Sequence, residues 1–283
     1  MPTTVGLFGH PVRQNLSAIM HNAAFDALGM DWRYVLRDVE PVLLAREVRA
    51  AVDEGWVGWN VTIPHKVAIA SSMDRLSPEA ALIGAVNTVR KTGDRLVGHN
   101  TDGAGFIAAL KEGAGVSGAG MRVVQIGSGG AGRATAVCLA KEAPAEIALF
   151  NRSPERSANL ASRMSGAFPN VPVRVLDENT LRAALAEADL VVNTTPVGMW
   201  PRTDAEPPID PAWLSPSSLV YDIINNPPRT GLLRAADARG CRVLGGLGML
   251  VMQGALAFKW WTGRDAPVRV MRQAAETAVA NWK

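Results

Sequence analysis

The sequence predicts an α/β protein built from two units, and three observations carry that prediction. Short apolar runs alternate with helix-length segments twice along the 283 residues, a glycine-rich turn joins a strand to a helix in the second series, and the closing segment is helical throughout. Such alternation predicts parallel strands, because a helix must carry the chain back before the next strand can start in the same direction.

The first series reads strand (TVGLFG, from residue 3), helix (SAIMHNAAFDAL), strand (DWRYVLRDV), helix (LLAREVRAAVDE) and strand (VGWNVTI). Residues 74–100 then hold a short helix (SPEAALIGA) and extended segments around NTVRK and RLVGHN. After residue 120 the rhythm returns: MRVVQI, a helix after Gly132, EIALF, VRVL, DLVVNTT, SLVYDII and CRVLGG. From residue 247 the pattern is purely helical with no sheet of its own to cover, so these helices are expected to pack back on the first unit. The expected boundaries are 1–103 for the first unit, with 247–283 returning to it, and 104–246 for the second.

Composition narrows the function. With 48% hydrophobic and 19% charged residues the chain can fill a packed core. Its 29 Lys and Arg barely exceed its 26 Asp and Glu, and no basic block stands out, which speaks against a nucleic-acid partner. The first residues lack the basic and apolar regions of a secretion signal, and the most apolar stretch, Leu247 to Phe258, is too short to span a membrane. Cys138 and Cys241 are the only cysteines and each lies in an apolar run, so neither a disulfide framework nor a metal cluster is expected, and a reducing cytoplasm fits. His10, His21, His65 and His99 lack metal-ligand spacing and read as structural or surface residues. The partner expected is a small molecule, bound by a monomer or homodimer.

Two regions carry chemistry. In VVQIGSGGAGRA, Gly127, Gly129, Gly130 and Gly132 follow a strand and open a helix, where glycines let backbone N–H groups approach a pyrophosphate at the positive end of the helix dipole. That context predicts a Rossmann-like, doubly wound dinucleotide domain. The next strand ends in Asn151-Arg152-Ser153, with Arg156 beyond, where an NAD site would carry a carboxylate. A guanidinium can bind a 2′-phosphate that a carboxylate would repel, so NADP is favoured; the alternative is that Arg152 and Arg156 are solvated residues of a helix start.

The other region is GWNVTIPHK, residues 58–66. Strand alternation puts Val57, Trp59, Val61 and Ile63 on one face, and Asn60 with Thr62 on the other, at the strand end where open α/β sheets bind ligands. Pro64 suits the first position of a helix, which would set Lys66 in its first turn, where the dipole lowers an ammonium pKa towards the range useful for proton transfer. Lys66 is either that or a surface residue. Asp102, in GHNTDGAGF, either N-caps the following helix or faces Lys66 across the mouth of the sheet. Ser17 either caps a helix or offers its hydroxyl to a ligand carboxylate. Gln253, the one polar side chain between Leu247 and Phe258, either binds a polyol or turns to water.

Together these stretches resemble the shikimate dehydrogenase family along essentially the whole chain. The matching segments are GHPV with Ser17 and HNAAF (9–25), GWNVTIPHK (58–66), IGAVNT (83–88), GHNTDGAGF (98–106), GSGGAGRA (127–134), NRSPER (151–156), VVNTTPVGM (191–199), YDIINNP (221–227) and GLGMLVMQGALAF (246–258). The resemblance implies an N-terminal α/β substrate domain with the C-terminal helices, an NADP domain inserted between, and reversible reduction of 3-dehydroshikimate to shikimate, a step of aromatic amino acid biosynthesis. Carried over residue by residue, it implies Lys66 and Asp102 as the catalytic pair. It also implies Thr62, Asn87, Asp102 and Gln253 on substrate hydroxyls, and Ser17 with Asn15 at the substrate carboxylate. Gly127, Ser128, Gly129, Gly130, Ala131, Asn151, Arg152, Ser153, Arg156 and Thr194 would bind NADP, with Met199 and Gly246 near the nicotinamide.

Three positions depart from the family pattern. His-Ser-x-Ser-Pro is replaced by Gln14-Asn15-Leu16-Ser17-Ala18, so a hydroxyl becomes an amide; the usual Tyr after the YD strand is Asn225; the usual Asp before Gly-Leu-Gly is Gly245. These changes keep open a paralogue acting on quinate, aminoshikimate or another cyclic hydroxy acid. A dinucleotide-binding sensor without catalysis is the rival from another class.

Overall fold

A computed structural model describes residues 1–12 and 15–281 and divides the chain into two units, Met1–Gly105 with Leu250–Lys283, and Phe106–Met249. In the first unit the elements run β1 (Thr3–Gly9), α1 (Ser17–Ala27), β2 (Trp32–Asp38), α2 (Leu44–Asp53), β3 (Gly58–Val61), β4 (Arg75–Leu76), α3 (Pro78–Ile83), β5 (Thr88–Thr92) and β6 (Arg95–His99), and α4 (Asp102–Ala114) follows. The sheet order is β2-β1-β3-β5-β6-β4.

Here the expected parallel pairing holds for only part of the sheet. β1 is parallel to β2 and to β3, but β5 runs antiparallel to both β3 and β6. The reason is the connection: β5 and β6 are joined through Gly93 and Asp94, with Gly93 at φ 59°, and so short a turn can only reverse the chain. β3 is buried along its whole length, so both its faces are covered by protein. Phe8, Trp56 and Trp59 pack there with Val48, Ile69 and Val89.

The second unit matches the doubly wound expectation. β7 (Arg122–Ile126), α5 (Gly130–Lys141), β8 (Glu146–Phe150), α6 (Pro154–Ala167), β9 (Val173–Val175), α7 (Glu178–Glu187), β10 (Leu190–Asn193), β11 (Leu219–Asp222), α8 (Gly231–Ala238) and β12 (Arg242–Leu244) follow one another. All strand pairs are parallel in the order β12-β11-β10-β7-β8-β9. The order reverses between β7 and β10, which opens a crevice beyond their C-terminal ends, beside Gly127 and Thr194.

The chain closes with α9 (Leu247–Thr262) and α10 (Val268–Ala280). As expected, these pack on the first unit: Phe258 lies 5.3 Å from Phe25, ring to ring, and the Trp261 indole donates to the Val89 carbonyl at 2.9 Å. Among the described residues no helix is long and apolar enough to cross a membrane, and no His, Cys, Asp and Glu cluster could hold a metal ion. Cys138 and Cys241 are buried and form no disulfide.

Candidate active site

The segment after β3 departs from its expected form. Pro64 starts no α-helix; Thr62 to His65 close a turn through His65 N–H to the Thr62 carbonyl at 2.9 Å, and a short 3-10 helix begins only at Ala68. His65 pins the turn from inside, its ring nitrogen 2.6 Å from the Val39 carbonyl. Lys66 therefore precedes the cap of that 3-10 helix instead of lying in the first turn of an α-helix. Its carbonyl is instead held by the Val86 N–H at 2.7 Å, which fixes the Lys66 backbone to the segment leading into β5.

From that position the Lys66 ammonium reaches Asp102, with Nζ and Oδ2 2.6 Å apart. The side chains are 15% and 5% exposed, so the pair is largely withdrawn from water. Removing either partner of such a pair strands the other charge in a poor medium. Asp102 occupies the first turn of α4, but its carboxylate does not cap the helix: its own N–H donates to Asn100 Oδ1 at 3.0 Å, leaving both carboxylate oxygens to face the site. Oδ2 takes Lys66, and Oδ1 takes the Asn87 amide at 2.8 Å.

Asn87 gathers the rest. Its Oδ1 accepts the Thr101 N–H at 2.8 Å and the Thr88 hydroxyl at 2.9 Å, which turns its NH₂ towards Asp102, Thr101 Oγ1 at 2.9 Å and Gln253 Oε1 at 3.2 Å. Gln253 is buried, and its own NH₂ donates to the Leu250 carbonyl at 2.9 Å. It faces inward rather than to water. The structure thus brings together Lys66, Asp102, Asn87 and Gln253, four residues far apart in sequence.

At the start of α1 the roles are exchanged. Asn15, not Ser17, supports the helix, its Oδ1 accepting the Ser17 N–H at 2.9 Å, while Ser17 is buried. Gln14 lies outside the described residues. Asn60 also differs from its expected place at the mouth of the sheet: it is buried, bonded to Tyr34 and Thr88, one layer behind Asp102. Thr62 sits in the turn before Lys66, half-buried, its methyl packed where a Gly9 side chain would go.

In the second unit the glycine turn is held by Gln125, which the sequence reading did not single out, and by Thr194, which it did. Gln125, fully buried in β7, donates to the Gly127 and Gly132 carbonyls at 2.9 Å each. Thr194 donates to the Ile126 and Gly127 carbonyls at 2.9 and 3.1 Å. Gly127 has φ 101°, and a Cβ at Gly132 would come within 2.5 Å of the Gly127 carbonyl, so neither position admits a side chain. At Gly129, by contrast, a Cβ would meet nothing within 4 Å, which leaves open space at the N-terminus of α5. Asn151 holds Ser128 N–H at 3.2 Å and the Ser153 carbonyl at 2.9 Å, tying the glycine turn to the segment of Arg152.

Arg133 is a further residue of this region. Its guanidinium is partly buried and held below its ordinary pKa, first by burial and then by the like charges of Arg163 and Arg156. Open space over a helix N-terminus with several guanidinium groups beside it fits a phosphorylated dinucleotide. Gly246 lies where a Cβ would be 2.0 Å from the Ile223 carbonyl, a contact only glycine allows, whereas at Gly245 the nearest atom would be 3.0 Å away. Met199 is half-buried in a turn that follows Pro196, and Ala131 lies in the first turn of α5.

Asp222, at the end of β11, was not among the expected residues. It is fully buried, with Oδ1 accepting from Asn193 at 3.0 Å and from the Ile224 N–H at 3.1 Å, and Oδ2 from Thr230 at 2.7 Å. Burial outweighs these donors and pushes its pKa up to about 6.

Comparison with known proteins agrees with this geometry. Residues 7–89 match the model of the shikimate dehydrogenase substrate binding domain, 123–197 that of the saccharopine dehydrogenase NADP binding domain, and 246–276 that of the shikimate 5′-dehydrogenase C-terminal domain. The chain is 47% identical over 276 residues to the shikimate dehydrogenase (NADP(+)) of Moorella thermoacetica, covering 97% of this chain and 93% of that one. A crystal structure of a shikimate dehydrogenase in complex with NADP+ is similar with a TM-score of 0.89 and 38% identity, covering 98% of this chain and 96% of the other. The ligand-free 5-ketofructose reductase of a Gluconobacter strain has a TM-score of 0.83 and 37% identity, over 98% and 99% of the two chains.

Proposed function

The chain belongs to the shikimate dehydrogenase family, and from that premise we propose that it reversibly reduces 3-dehydroshikimate to shikimate as an NADP-dependent oxidoreductase. The first unit takes the substrate and the second the dinucleotide. When bound, the reduced nicotinamide supplies hydride to the ketone carbon. Lys66 donates a proton to the oxygen as charge develops there, and in the reverse direction removes it. Asp102 Oδ2 holds the ammonium aimed, while Oδ1 is steadied by Asn87. Asn87 and Gln253 lie beside the pair, within reach of a polyol's hydroxyls.

The dinucleotide's phosphates would lie on the glycine turn, over the open space at Gly129, with Arg152 and Arg156 on the 2′-phosphate and Arg133 reinforcing the field. The observation that carries the reading is the 2.6 Å contact of Lys66 with Asp102 inside a fully bonded amide cluster. A sensor would have no use for it. The two buried cysteines are in keeping with a reducing cytoplasm.

A second reading concerns the substrate. With its Oδ1 committed to α1, Asn15 can offer a ligand only its NH₂, a geometry unlike that of a serine hydroxyl. A cyclic polyol such as quinate, or a ketose, would then compete. Steady-state oxidation of shikimate and quinate with NADP+ and NAD+, and reduction of 5-ketofructose with NADPH, decides between them. The main reading expects the highest kcat/KM for shikimate with NADP+. Activity on none of these would reject both.

A further inference from the structure

Behind the Lys66–Asp102 pair runs an unbroken line of buried hydrogen bonds that the proposed chemistry does not use. It passes from Tyr34 to Asn60 Oδ1 at 2.9 Å, from Asn60 Nδ2 to Thr88 Oγ1 at 3.0 Å, from Thr88 to Asn87 Oδ1 at 2.9 Å, and from Asn87 Nδ2 to Asp102 Oδ1 at 2.8 Å. Tyr34 is 3% exposed, Asn60 4% and Thr88 0%, so water does not interrupt it.

Two backbone groups leave this line a single direction. The Asn87 carbonyl can only accept, and it takes Asn60 Nδ2 at 3.1 Å, so Asn60 must turn its oxygen to Tyr34 and Tyr34 must be the donor. The Thr101 N–H can only donate, and it meets Asn87 Oδ1 at 2.8 Å, so Asn87 must turn its NH₂ to Asp102. Between them the Thr88 hydroxyl accepts from Asn60 and gives its proton to Asn87. Every bond therefore points towards the Asp102 carboxylate, the arrangement in which successive bonds polarise one another most.

We infer that Tyr34, Asn60 and Thr88 are positioning residues for the proton-transfer pair: they hold the Asp102 carboxylate through Asn87. This rests on the reading of Lys66 and Asp102 as that pair. Loss of the Tyr34 hydroxyl takes the donor from Asn60 Oδ1 and with it the polarisation passed through Thr88 and Asn87 to the Asp102 carboxylate, while the Asn87 carbonyl and the Thr101 N–H still fix which way the two amides face. Asn87 and Gln253 stay in place for substrate hydroxyls, so turnover should suffer more than binding.

The test is a kinetic cycle on the intact chain. Tyr34→Phe is expected to lower kcat by about tenfold with little change in KM, the scale at which small misplacements of a reacting group act. In an Asp102→Asn background the same substitution should cost almost nothing further, because its effect is transmitted through that carboxylate. Thr88→Val, which removes the next hydroxyl without changing shape, should repeat the pattern even if Tyr34→Phe does not fold, and Thr88→Ser should restore turnover. An equal fold-loss in both backgrounds, or unchanged kcat in both Tyr34→Phe and Thr88→Val, overturns the inference. A Lys66→Ala variant separates the causes: if it keeps near-normal turnover the pair itself is wrong, whereas if it is inactive and the cycle is additive only the relay is wrong.

Discussion

The two units bury polar atoms for opposite purposes. In the first, side chains bond to side chains, so that Asn60, Thr88 and Asn87 converge on one carboxylate. In the second, side chains bond to backbone: Gln125 and Thr194 grip the carbonyls around Gly127 and Asn151 takes the Ser128 N–H, which fixes the shape of the loop. Proton transfer needs a titratable group aimed at one atom, whereas holding a pyrophosphate needs a rigid loop shape. The difference teaches that a substitution in the first network should act on rate, and one in the second on binding.

The largest expected effect tests the first half of that contrast. Lys66→Ala should lower kcat by about 10²- to 10⁴-fold, the range general acid catalysis supplies, while leaving dinucleotide affinity intact. Fluorescence titration with NADPH beside the turnover assay checks both. A loss shared equally by affinity and rate would erase the distinction between the units.

Acid should affect the units with opposite sign. His21 is fully buried, stacked 4.6 Å from Tyr34 with its ring nitrogens lacking partners among the described residues, and burial pushes its pKa down to about 3. The unfolded chain takes up a proton near 6.5 that the folded chain refuses until about 3, so stability is full above 6.5 and is lost as pH falls through this window. The shift corresponds to about 4 to 5 kcal/mol. Denaturation of wild type and His21→Phe across pH 4 to 7 should show a slope that the variant loses; identical slopes would mean the imidazole is not kept neutral.

For Asp222 the sign reverses. The folded carboxyl keeps its proton up to about 6, whereas the unfolded one releases it near 3.8, so this contribution is full below 3.8 and is lost as pH rises through 6. The expected cost at neutral pH is about 3 kcal/mol. Asp222→Asn should therefore flatten the curve between pH 3.8 and about 6, read as the difference in Tm between variant and wild type at each pH. If the donors from Asn193, Thr230 and Ile224 prevail over burial, the wild type will instead gain stability as pH rises through the carboxylate range.

Much of this was legible in the sequence, and the failures have a common cause. The two α/β rhythms, the returning helices and the glycine turn were readable because periodicity and φ requirements are local. Lys66 and Asp102 were readable as candidates from their residue types and the family pattern, but Pro64 suggested a helix that the turn anchored by His65 replaces. Alternation puts Asn60 with Thr62 on a ligand-facing side; β3 has both faces covered, so the amide is an internal link instead. Gln125 was hidden in the same way, within a run that reads as an ordinary strand. A polar residue inside a strand gives its chemistry away only once its partners, remote in sequence, are known.

The smallest expected effect lies on the second unit's surface, where Arg152 is exposed. A guanidinium there can fork onto a 2′-phosphate, yet solvent screens it and Arg156, Arg133 and Arg163 share the same field, so one removal leaves much of the attraction in place. Arg152→Ala should weaken NADPH by about tenfold, or 1.4 kcal/mol, and leave NADH unchanged. Raising ionic strength should narrow the gap between the two dinucleotides in the wild type more than in the variant, since screening removes what the variant already lacks. Equal weakening of both would assign Arg152 to the fold of the Asn151 segment instead of to the phosphate, and the second unit's selectivity would have to come from the remaining guanidinium groups.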